Sequence, residues 1–198
     1  MDDLTFPVAA FALLGIERIL YSYIYHFAPK FKESVRKGRF GSTLTAEPLY
    51  WKVAMKLGTY IKVIQVSVIT CDLLFRCSLT NPLFSWKTEL IFLIGITLVC
   101  FGQFLNYSVF RALGAIGVYY GYELGYPVDT VTCFPYNTKI SDPQYWGVVI
   151  FIWGLYIAMG ASSFLIPIME TIWYVSSMKL LENPRGKVLM DFVTAKSV

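Results

Sequence analysis

Long apolar stretches separated by short polar segments dominate the hydrophobic pattern of this chain. The first stretch covers residues 5–27, and a helix of about 20 residues is what the hydrocarbon core of a bilayer requires. A second stretch covers residues 48–75 and a third covers residues 89–121. The third is longer than one crossing needs, so its far end is expected to reach into the interface. The pattern predicts three membrane-spanning helices.

A fourth apolar stretch, residues 145–180, is too long for a single crossing. At 1.5 Å per residue it would form a rod of roughly 54 Å. The small residues from Gly160 to Ser163, followed by Pro167, favour a break near its middle. We therefore expect two shorter helices, residues 145–160 and 164–181, packed as a hairpin.

The composition of the chain agrees with a lipid environment. Of its 198 residues, 56% are hydrophobic and 15% are charged, whereas soluble domains carry about 25% charged residues. We predict an all-α integral membrane protein with a single domain over residues 1–198, built from about three full spans plus a C-terminal helical hairpin. The small net charge of +4 argues against a nucleic-acid-binding protein.

Basic residues between the first two spans predict the orientation of the chain. The segment from Pro29 to Gly41 holds five lysines and arginines against one acidic residue, Glu33. Because cytoplasmic loops carry an excess of Lys and Arg, we expect this segment to face the cytosol. The hairpin returns the basic tail beyond Lys179 to the same side, which agrees with that orientation.

The sequence contains few residues that could bind a metal ion. His26 is the only histidine, and the four cysteines lie singly, without the spacing of a metal site. We expect no metal cofactor. His26 lies at the cytosolic end of the first predicted helix. It is either an interfacial residue without a special role or a proton shuttle, and its position fits both.

Glycines recur on one side of the third predicted helix. At about 100° per residue, Gly114, Gly117, Gly121 and Gly125 fall within roughly 80° of arc. A stripe without side chains permits close helix packing, or it forms a bed for a flat nucleoside. Periodicity alone does not separate these two interpretations. The dinucleotide fingerprint is excluded because no strand precedes the glycines.

Further candidate site residues lie at the start and at the end of the predicted hairpin. Residues 134–137 form an aromatic turn, and residues 141–147 combine a turn with a helix start and interfacial aromatic residues. Glu182 lies at the end of the last helix. The hairpin brings Glu182 back to the depth of Tyr145 and Gly121, so we expect these motifs to converge on one cytosolic patch.

Two charged residues lie near the middle of the first predicted span. Glu17 and Arg18 are costly in hydrocarbon unless they face protein or water. A structural pair between helices and a role in a substrate groove both remain open for them.

The order and spacing of these motifs resemble the small integral-membrane phospholipid N-methyltransferases, which convert phosphatidylethanolamine or its monomethyl form towards phosphatidylcholine. The resemblance runs from about residue 47 to residue 187. It is carried by residues 47–51, 101–106, 111–125, 131–137 and 142–147 and by Glu182. The related isoprenylcysteine carboxyl methyltransferases share the Pro-x-Tyr-x-Gly element, here residues 143–147.

The resemblance implies S-adenosylmethionine as methyl donor, bound through the glycine-bearing helix and the acidic end of the last helix. The residues it places at that site are Gly114, Gly117, Tyr119, Tyr120, Gly121, Pro135, Tyr136, Pro143, Tyr145, Gly147 and Glu182. Several members of the family carry two adjacent acidic residues at the helix end. Here Leu181 precedes Glu182, so this expectation rests on Glu182 alone.

Methyl transfer to a lipid amine sets the remaining chemical requirements. A neutral amine must attack the methyl group in line, about 3–3.5 Å away. The ammonium must first lose a proton, so a base is expected within reach, and Asp142 and Glu123 are the candidate catalytic residues. Glu182 is instead expected to accompany the cationic donor, because an unpaired cation is costly in a water-poor pocket.

Taken with the resemblance, these features predict an enzyme that methylates phosphatidylethanolamine-type headgroups, including the monomethyl and dimethyl intermediates. Its expected location is the endoplasmic reticulum membrane, with the active site facing the cytosol and bilayer phospholipid as substrate. Two alternatives stay open. One is a membrane methyltransferase of another lipophilic acceptor, such as a prenylated cysteine carboxylate. The other is a non-enzymatic helical transporter or scaffold.

Overall fold

A computed structural model describes residues 5–41, 49–76 and 86–182, and these ranges fold into helices without a β-strand. The helices are α1 (Thr5–Arg36), α2 (Tyr50–Arg76), α3 (Trp86–Val118), α4 (Pro143–Ala158) and α5 (Leu165–Ser176), and α5 continues as a short π-helix (Ser177–Leu181). The first three are long and apolar enough to cross a membrane. The predicted fold class, an all-α membrane protein, is therefore confirmed.

The C-terminal hairpin is present, and its break lies where the sequence predicts one. Gly160 has a φ of 61°, a left-handed conformation that glycine adopts without steric cost. The N–H of Ala161 donates to the carbonyl of Tyr156 at 3.1 Å, which closes the end of α4. The chain then reverses, and α5 packs back against α4.

Helix α1 continues nine residues beyond the predicted end of the first span, but it is kinked at that point. Phe27 leaves helical geometry, with φ −125° and ψ 39°. Pro29 lacks a backbone N–H and cannot donate the usual hydrogen bond to the preceding turn, which accounts for the kink. The part of α1 beyond the kink carries basic residues, and Arg36 is the last residue of the helix.

Pairs of glycines allow α3 and α4 to approach at backbone distance. Gly95 and Gly102 on α3 face Gly147 and Gly154 on α4, with a spacing of seven residues in each helix. A Cβ on Gly102 would lie 2.5 Å from the carbonyl oxygen of Gly147, and one on Gly154 would lie 2.8 Å from that of Gly95. Such distances exclude any side chain. Packing therefore explains Gly147, which the resemblance had assigned to the cofactor site.

The predicted glycine stripe on the third helix is wrong. Helix α3 ends at Val118, and residues 119–125 form successive turns. Gly114 already has φ 64° and ψ 172°, and Gly125 has φ 80°. Glycine tolerates such values, and a helix does not contain them. The four glycines consequently do not share one helical face, and a periodicity of 100° per residue does not relate them.

One end of the bundle, here termed the loop end, gathers segments that are distant in sequence. Buried Phe31 on α1, Val53 on α2 and Leu124 from the turns after α3 belong to one apolar cluster. The ring Nε2 of His26 contacts the carbonyl oxygen of Leu181, which ties the π-helix to α1. The loop end thus brings together all of the motifs that the sequence singled out around residues 119–125, 145 and 182.

Candidate active site

Glu182 is the centre of a hydrogen-bonded cluster at the loop end. Its Oε2 accepts hydrogen bonds from the hydroxyls of Tyr120 at 2.9 Å and Tyr145 at 2.6 Å. The two hydroxyl oxygens lie 3.2 Å apart. The three side chains, here termed the Glu182 cluster, come from the turns after α3, the first turn of α4 and the residue that follows the π-helix. The convergence that the sequence predicts for these motifs is therefore present.

Local backbone geometry directs each member of the Glu182 cluster. Tyr120 has a φ of 58°, a left-handed conformation that is uncommon for a bulky residue and is typical of functional sites. Tyr145 lies in the first turn of α4, which begins at Pro143 because the fixed φ of proline suits a helix start. The N–H of Glu182 donates to the carbonyl of Ser177 at 2.9 Å, in the wider turn of the π-helix.

The carboxylate of Glu182 can accept a further hydrogen bond. Burial raises its pKa, although the hydrogen bond from Tyr145 and the charge of Arg18 act in the opposite direction. Its Oε1 is buried and has no hydrogen-bond partner among the described residues. Because a buried acceptor without a partner is costly, this oxygen is suited to a ligand that carries a donor or a positive charge.

Arg18 on α1 lies among the rings of three tyrosines. Its guanidinium carbon is 4.4 Å from the ring centroid of Tyr174, 4.8 Å from that of Tyr145 and 5.0 Å from that of Tyr21. These distances are within the range of cation–π attraction. Its Nη2 lies 2.8 Å from the carboxylate of Glu17, while Nε and Nη1 have no partner within the described ranges. Arg18 can therefore accept a further anionic group.

Glu17 also bridges two helices. Lys62 on α2 donates to Oε2 of Glu17 at 2.8 Å and to the hydroxyl of Tyr174 at 3.2 Å. Glu17 thus pairs both with its neighbour Arg18 and with a residue of another helix, as the structural interpretation of the sequence proposes. Lys62 was missed because pairing between helices depends on their register, which the sequence alone does not give.

A cavity of about 460 Å³ lies beside these groups. Ligand sites in proteins are typically about 300–1,000 Å³ and mainly apolar, with a few polar groups. Tyr119, Tyr120 and Tyr145 line this cavity, so three of the predicted site residues border it. The charged residues in its wall are Glu17, Arg18, Lys62 and Glu170. Glu17 and Arg18 thus line a cavity, which agrees with the alternative interpretation that they belong to a substrate groove.

Neither candidate catalytic carboxylate lines this cavity. Asp142 is exposed, with a φ of 50°, and immediately precedes α4. Glu123 is partly buried within the turns after α3. Among the expected cofactor-binding residues, Pro135 is buried and Tyr136 is exposed, and both lie in the 133–138 turn outside the cavity wall. Their assigned roles stay predictions.

Glu170 is a second cavity residue, besides Lys62, that sequence reasoning missed. It lies on α5, is only 2% exposed, and its Oε2 has no hydrogen-bond partner among the described residues. An acidic residue inside an otherwise apolar segment is itself a signal, because burying a carboxylate in a membrane is expensive. That signal was available at residues 165–176, the helix that forms one wall of the cavity.

Residues 90–186 match the model of a family described as phospholipid methyltransferase. This segment belongs to the phospholipid methyltransferase family. The match includes the whole Glu182 cluster and Glu170, whereas Glu17, Arg18 and Lys62 precede it. The resemblance noted from the sequence motifs is therefore confirmed.

Two curated relatives carry names from this family. The chain is 44% identical over 66 residues to a phosphatidyl-N-methylethanolamine N-methyltransferase of Arabidopsis thaliana, an alignment that covers 33% of this chain and 38% of the relative. It is 35% identical over 104 residues to phosphatidylethanolamine N-methyltransferase B of Dictyostelium discoideum, which covers 52% of each protein. The chain therefore spans between 38% and 52% of the length of these relatives. No solved structure gives a significant match.

Proposed function

We propose that this protein transfers methyl groups from S-adenosylmethionine to the amine of phosphatidylethanolamine-type headgroups. The family match and the names of the two relatives support this reaction class. Neither a prenylated cysteine acceptor nor a non-enzymatic role receives support from these comparisons. The acceptor class includes the monomethyl and dimethyl forms of the headgroup, because each still carries an amine.

The Glu182 cluster is the observation that carries this proposal. S-adenosylmethionine has two cationic groups, a sulfonium and an α-ammonium, and each is costly to bury without a counter-charge. Oε2 of Glu182 is held by the hydroxyls of Tyr120 and Tyr145, which leaves the unpartnered Oε1 for the donor. A charge-assisted hydrogen bond from the donor's ammonium to this oxygen satisfies both partners.

Arg18 complements Glu182 with the opposite charge. The guanidinium lies over the ring of Tyr145, whose hydroxyl binds Glu182, so the two charges flank one side chain. The unpartnered Nε and Nη1 of Arg18 suit the α-carboxylate of the donor, since guanidinium groups bind carboxylates through several N–H donors. Arg18 and Glu182 together match the zwitterionic end of S-adenosylmethionine.

The reaction itself needs positioning more than covalent chemistry. When bound, S-adenosylmethionine supplies an activated methyl group on a sulfonium. The tyrosines of the cavity orient the donor and hold the methylated ammonium product by cation–π contacts, each worth about 0.5–2 kcal/mol. The apolar lining limits water around Arg18, which strengthens its electrostatic contacts, while Glu182 lies outside the cavity wall and meets the cavity through Tyr120 and Tyr145.

The loop end is the side from which the donor arrives in this proposal. Arg36, Lys37 and Arg39 lie there, next to the segments that form the Glu182 cluster. By the positive-inside rule this end faces the cytosol, where the water-soluble donor is present. We propose the endoplasmic reticulum as the membrane, in line with the phospholipid acceptor.

Incubation of the purified full-length protein with methyl-labelled S-adenosylmethionine tests the proposal. The acceptors are phosphatidylethanolamine, its monomethyl and dimethyl forms and a prenylated cysteine peptide, each supplied in lipid nanodiscs. We expect label in the phosphatidylethanolamine series and none in the peptide. Label in the peptide alone would overturn the acceptor class, and folded protein that labels no acceptor would support the non-enzymatic alternative.

A further inference from the structure

Glu170 lines the same cavity as Arg18 and Lys62, but neither cation pairs with its Oε2. Glu17 is bonded to both Arg18 and Lys62, the two cations in the cavity wall. Glu170 borders the same cavity, and its buried Oε2 finds no donor within the described part of the chain. A carboxylate in such surroundings is stabilised by a cation that is not part of the protein. The cavity wall therefore contains a carboxylate that suits a cationic ligand.

The cavity can be reached from the bilayer. Val66 on α2 and Tyr107 on α3 both line it, and their side chains are 58% and 65% exposed. Helices α2 and α3 touch at few described positions, so the opening between them is not closed by helix packing. A lipid with an amine-bearing headgroup can thus approach Glu170 laterally while its acyl chains stay in the bilayer.

One of the two unsatisfied carboxylates lies on α5, and the other directly follows the π-helix that continues it. Glu170 and Glu182 are twelve residues apart, which is roughly 18 Å along a helix axis. Glu182 is at the loop end, whereas Glu170 lies within α5 and lines the cavity together with Lys62 and Tyr174. This separation leaves room for two cations, one at each carboxylate, with a methyl group transferred between them.

We propose that Glu170 binds the ammonium of the acceptor lipid and accepts the proton that the ammonium must lose before methylation. This assignment rests on the proposed function. The N–H bond breaks, and the proton moves to the carboxylate of Glu170. The freed lone pair of nitrogen forms the N–CH3 bond while the C–S bond breaks and leaves its electrons on sulfur. The positive charge passes from the sulfonium to the new N-methylammonium, and Glu170 later releases its proton to water.

Glu170→Gln removes the charge and keeps the shape, so it separates binding of the donor from proton transfer. In nanodiscs with phosphatidylethanolamine, the variant should bind S-adenosylmethionine with an unchanged dissociation constant. Its turnover at saturating donor and neutral pH should fall about 10²- to 10⁴-fold, the usual contribution of a general base. That turnover should rise with pH, because a primary amine with a pKa of about 10.4 then arrives already neutral.

Two further variants complete the design. Glu170→Asp keeps a carboxylate, so its turnover should exceed that of Glu170→Gln, and the acidic limb of its pH profile should be shifted. Asp72→Asn is the matched control, because Asp72 is a buried carboxylate that accepts a hydrogen bond from Tyr156 at 2.9 Å outside the cavity. Its turnover and pH profile should equal those of the wild type.

The outcomes distinguish this inference from the proposed function. Wild-type turnover in Glu170→Gln, or a loss that is the same at every pH, would overturn the role of Glu170 alone. If Glu170→Gln does not fold, a Glu170→Asp pH profile identical to that of the wild type would also overturn it. Wild-type protein that labels no lipid amine would instead refute the proposed function.

Discussion

At the scale of single residues, two tyrosine hydroxyls on one carboxylate oxygen restrict what Glu182 can do. A carboxylate that already accepts two hydrogen bonds through Oε2 is a weak proton acceptor at that oxygen, and its Oε1 is free for one cationic partner. An acid paired with a cation has its pKa lowered, which makes it a poor base. Donor binding and proton abstraction are therefore competing roles for Glu182.

Substitution of Glu182 by Gln separates these two roles. The dissociation constant of S-adenosylmethionine should rise about 10- to 100-fold, which corresponds to the loss of a hydrogen bond to a charged group. Turnover at saturating donor should be largely retained. Equilibrium binding and saturation kinetics measure the two quantities, with Asp129→Asn in the exposed loop as the control. Unchanged affinity with collapsed turnover would make Glu182 the base.

The pH dependence of donor binding follows from the burial of Glu182. Burial raises the pKa of this carboxyl above its ordinary value of 4.5 in the free protein. On acidification, the carboxylate is therefore neutralised earlier than an exposed glutamate, and donor affinity should fall as the pH falls through that raised pKa. Binding titrations at several pH values should detect this loss. In Glu182→Gln the same titrations should be flat over that range, and a persisting acid dependence would assign it to another group.

The sequence predicts part of the site and misses part of it, for a physical reason. Tyr145 and Glu182 were found because a helix start and a helix end carry local signals and the predicted hairpin brings them together, whereas Tyr120 was assigned through the family resemblance. Glu170 was missed although an acidic residue in an apolar segment is a local signal, whereas Lys62 was missed because its role depends on which helix faces meet at one cavity. Helix register between α1, α2 and α5 is a property of packing, and no local pattern records it.

At the scale of helices, glycines have two different functions in this chain. Those at Gly95, Gly102, Gly147 and Gly154 serve contact between α3 and α4, whereas Gly114, Gly121 and Gly125 serve the end of α3 and the turns beyond it. Sequence periodicity grouped the second set as a stripe because it assumed a helix through residue 125. The spacing of seven residues in the first set was the pattern that indicated helix contact. It becomes visible only when the segments that form α3 and α4 are compared with each other.

Gly102→Ala should destabilise the bundle without a specific effect on donor binding. The added Cβ would meet the carbonyl oxygen of Gly147 at 2.5 Å, so α3 and α4 must separate. Overpacking of this kind typically costs about 1–3 kcal/mol. A lower thermal midpoint in detergent is the expected result, with normal S-adenosylmethionine affinity in the folded fraction. The control is Leu93→Ala, at a position that is 59% exposed on α3.

A stable Gly102→Ala variant would show that the two helices are not in backbone contact. A loss of donor affinity at unchanged stability would place Gly102 in the donor site. The helix contact and the cofactor site are thus distinguished by the same pair of measurements.

At the scale of the whole molecule, the distribution of charge gives an orientation. The loop end carries the basic residues that follow α1, and the turns after α3 and the end of the π-helix lie beside them. The sequence predicts this arrangement because the number of crossings sets the side of each loop. What it does not predict is the cavity, since the cavity requires all five helices to be in place.

Thiol labelling in sealed vesicles with the cytosolic face outward tests the orientation. Cys133 is an exposed native thiol in the loop between α3 and α4, and Lys37→Cys adds one after α1. With the other cysteines replaced by serine, both should react with a membrane-impermeant reagent without permeabilisation. Labelling of one position alone would contradict the fold, and labelling of both only after permeabilisation would reverse the orientation.

The charged pair between α1 and α2 makes the unit that forms the cavity larger than the segment that matches the family model. Residues 90–186 supply α4, α5 and nearly all of α3, but Arg18 and Lys62, which also line the cavity, lie outside this segment. An isolated C-terminal half would expose Glu170 and the tyrosines that face Arg18, and it would lack a complete pocket. The same holds for chimaeras: an α1 taken from a relative needs a compatible α2, because Glu17 and Lys62 are matched across that boundary.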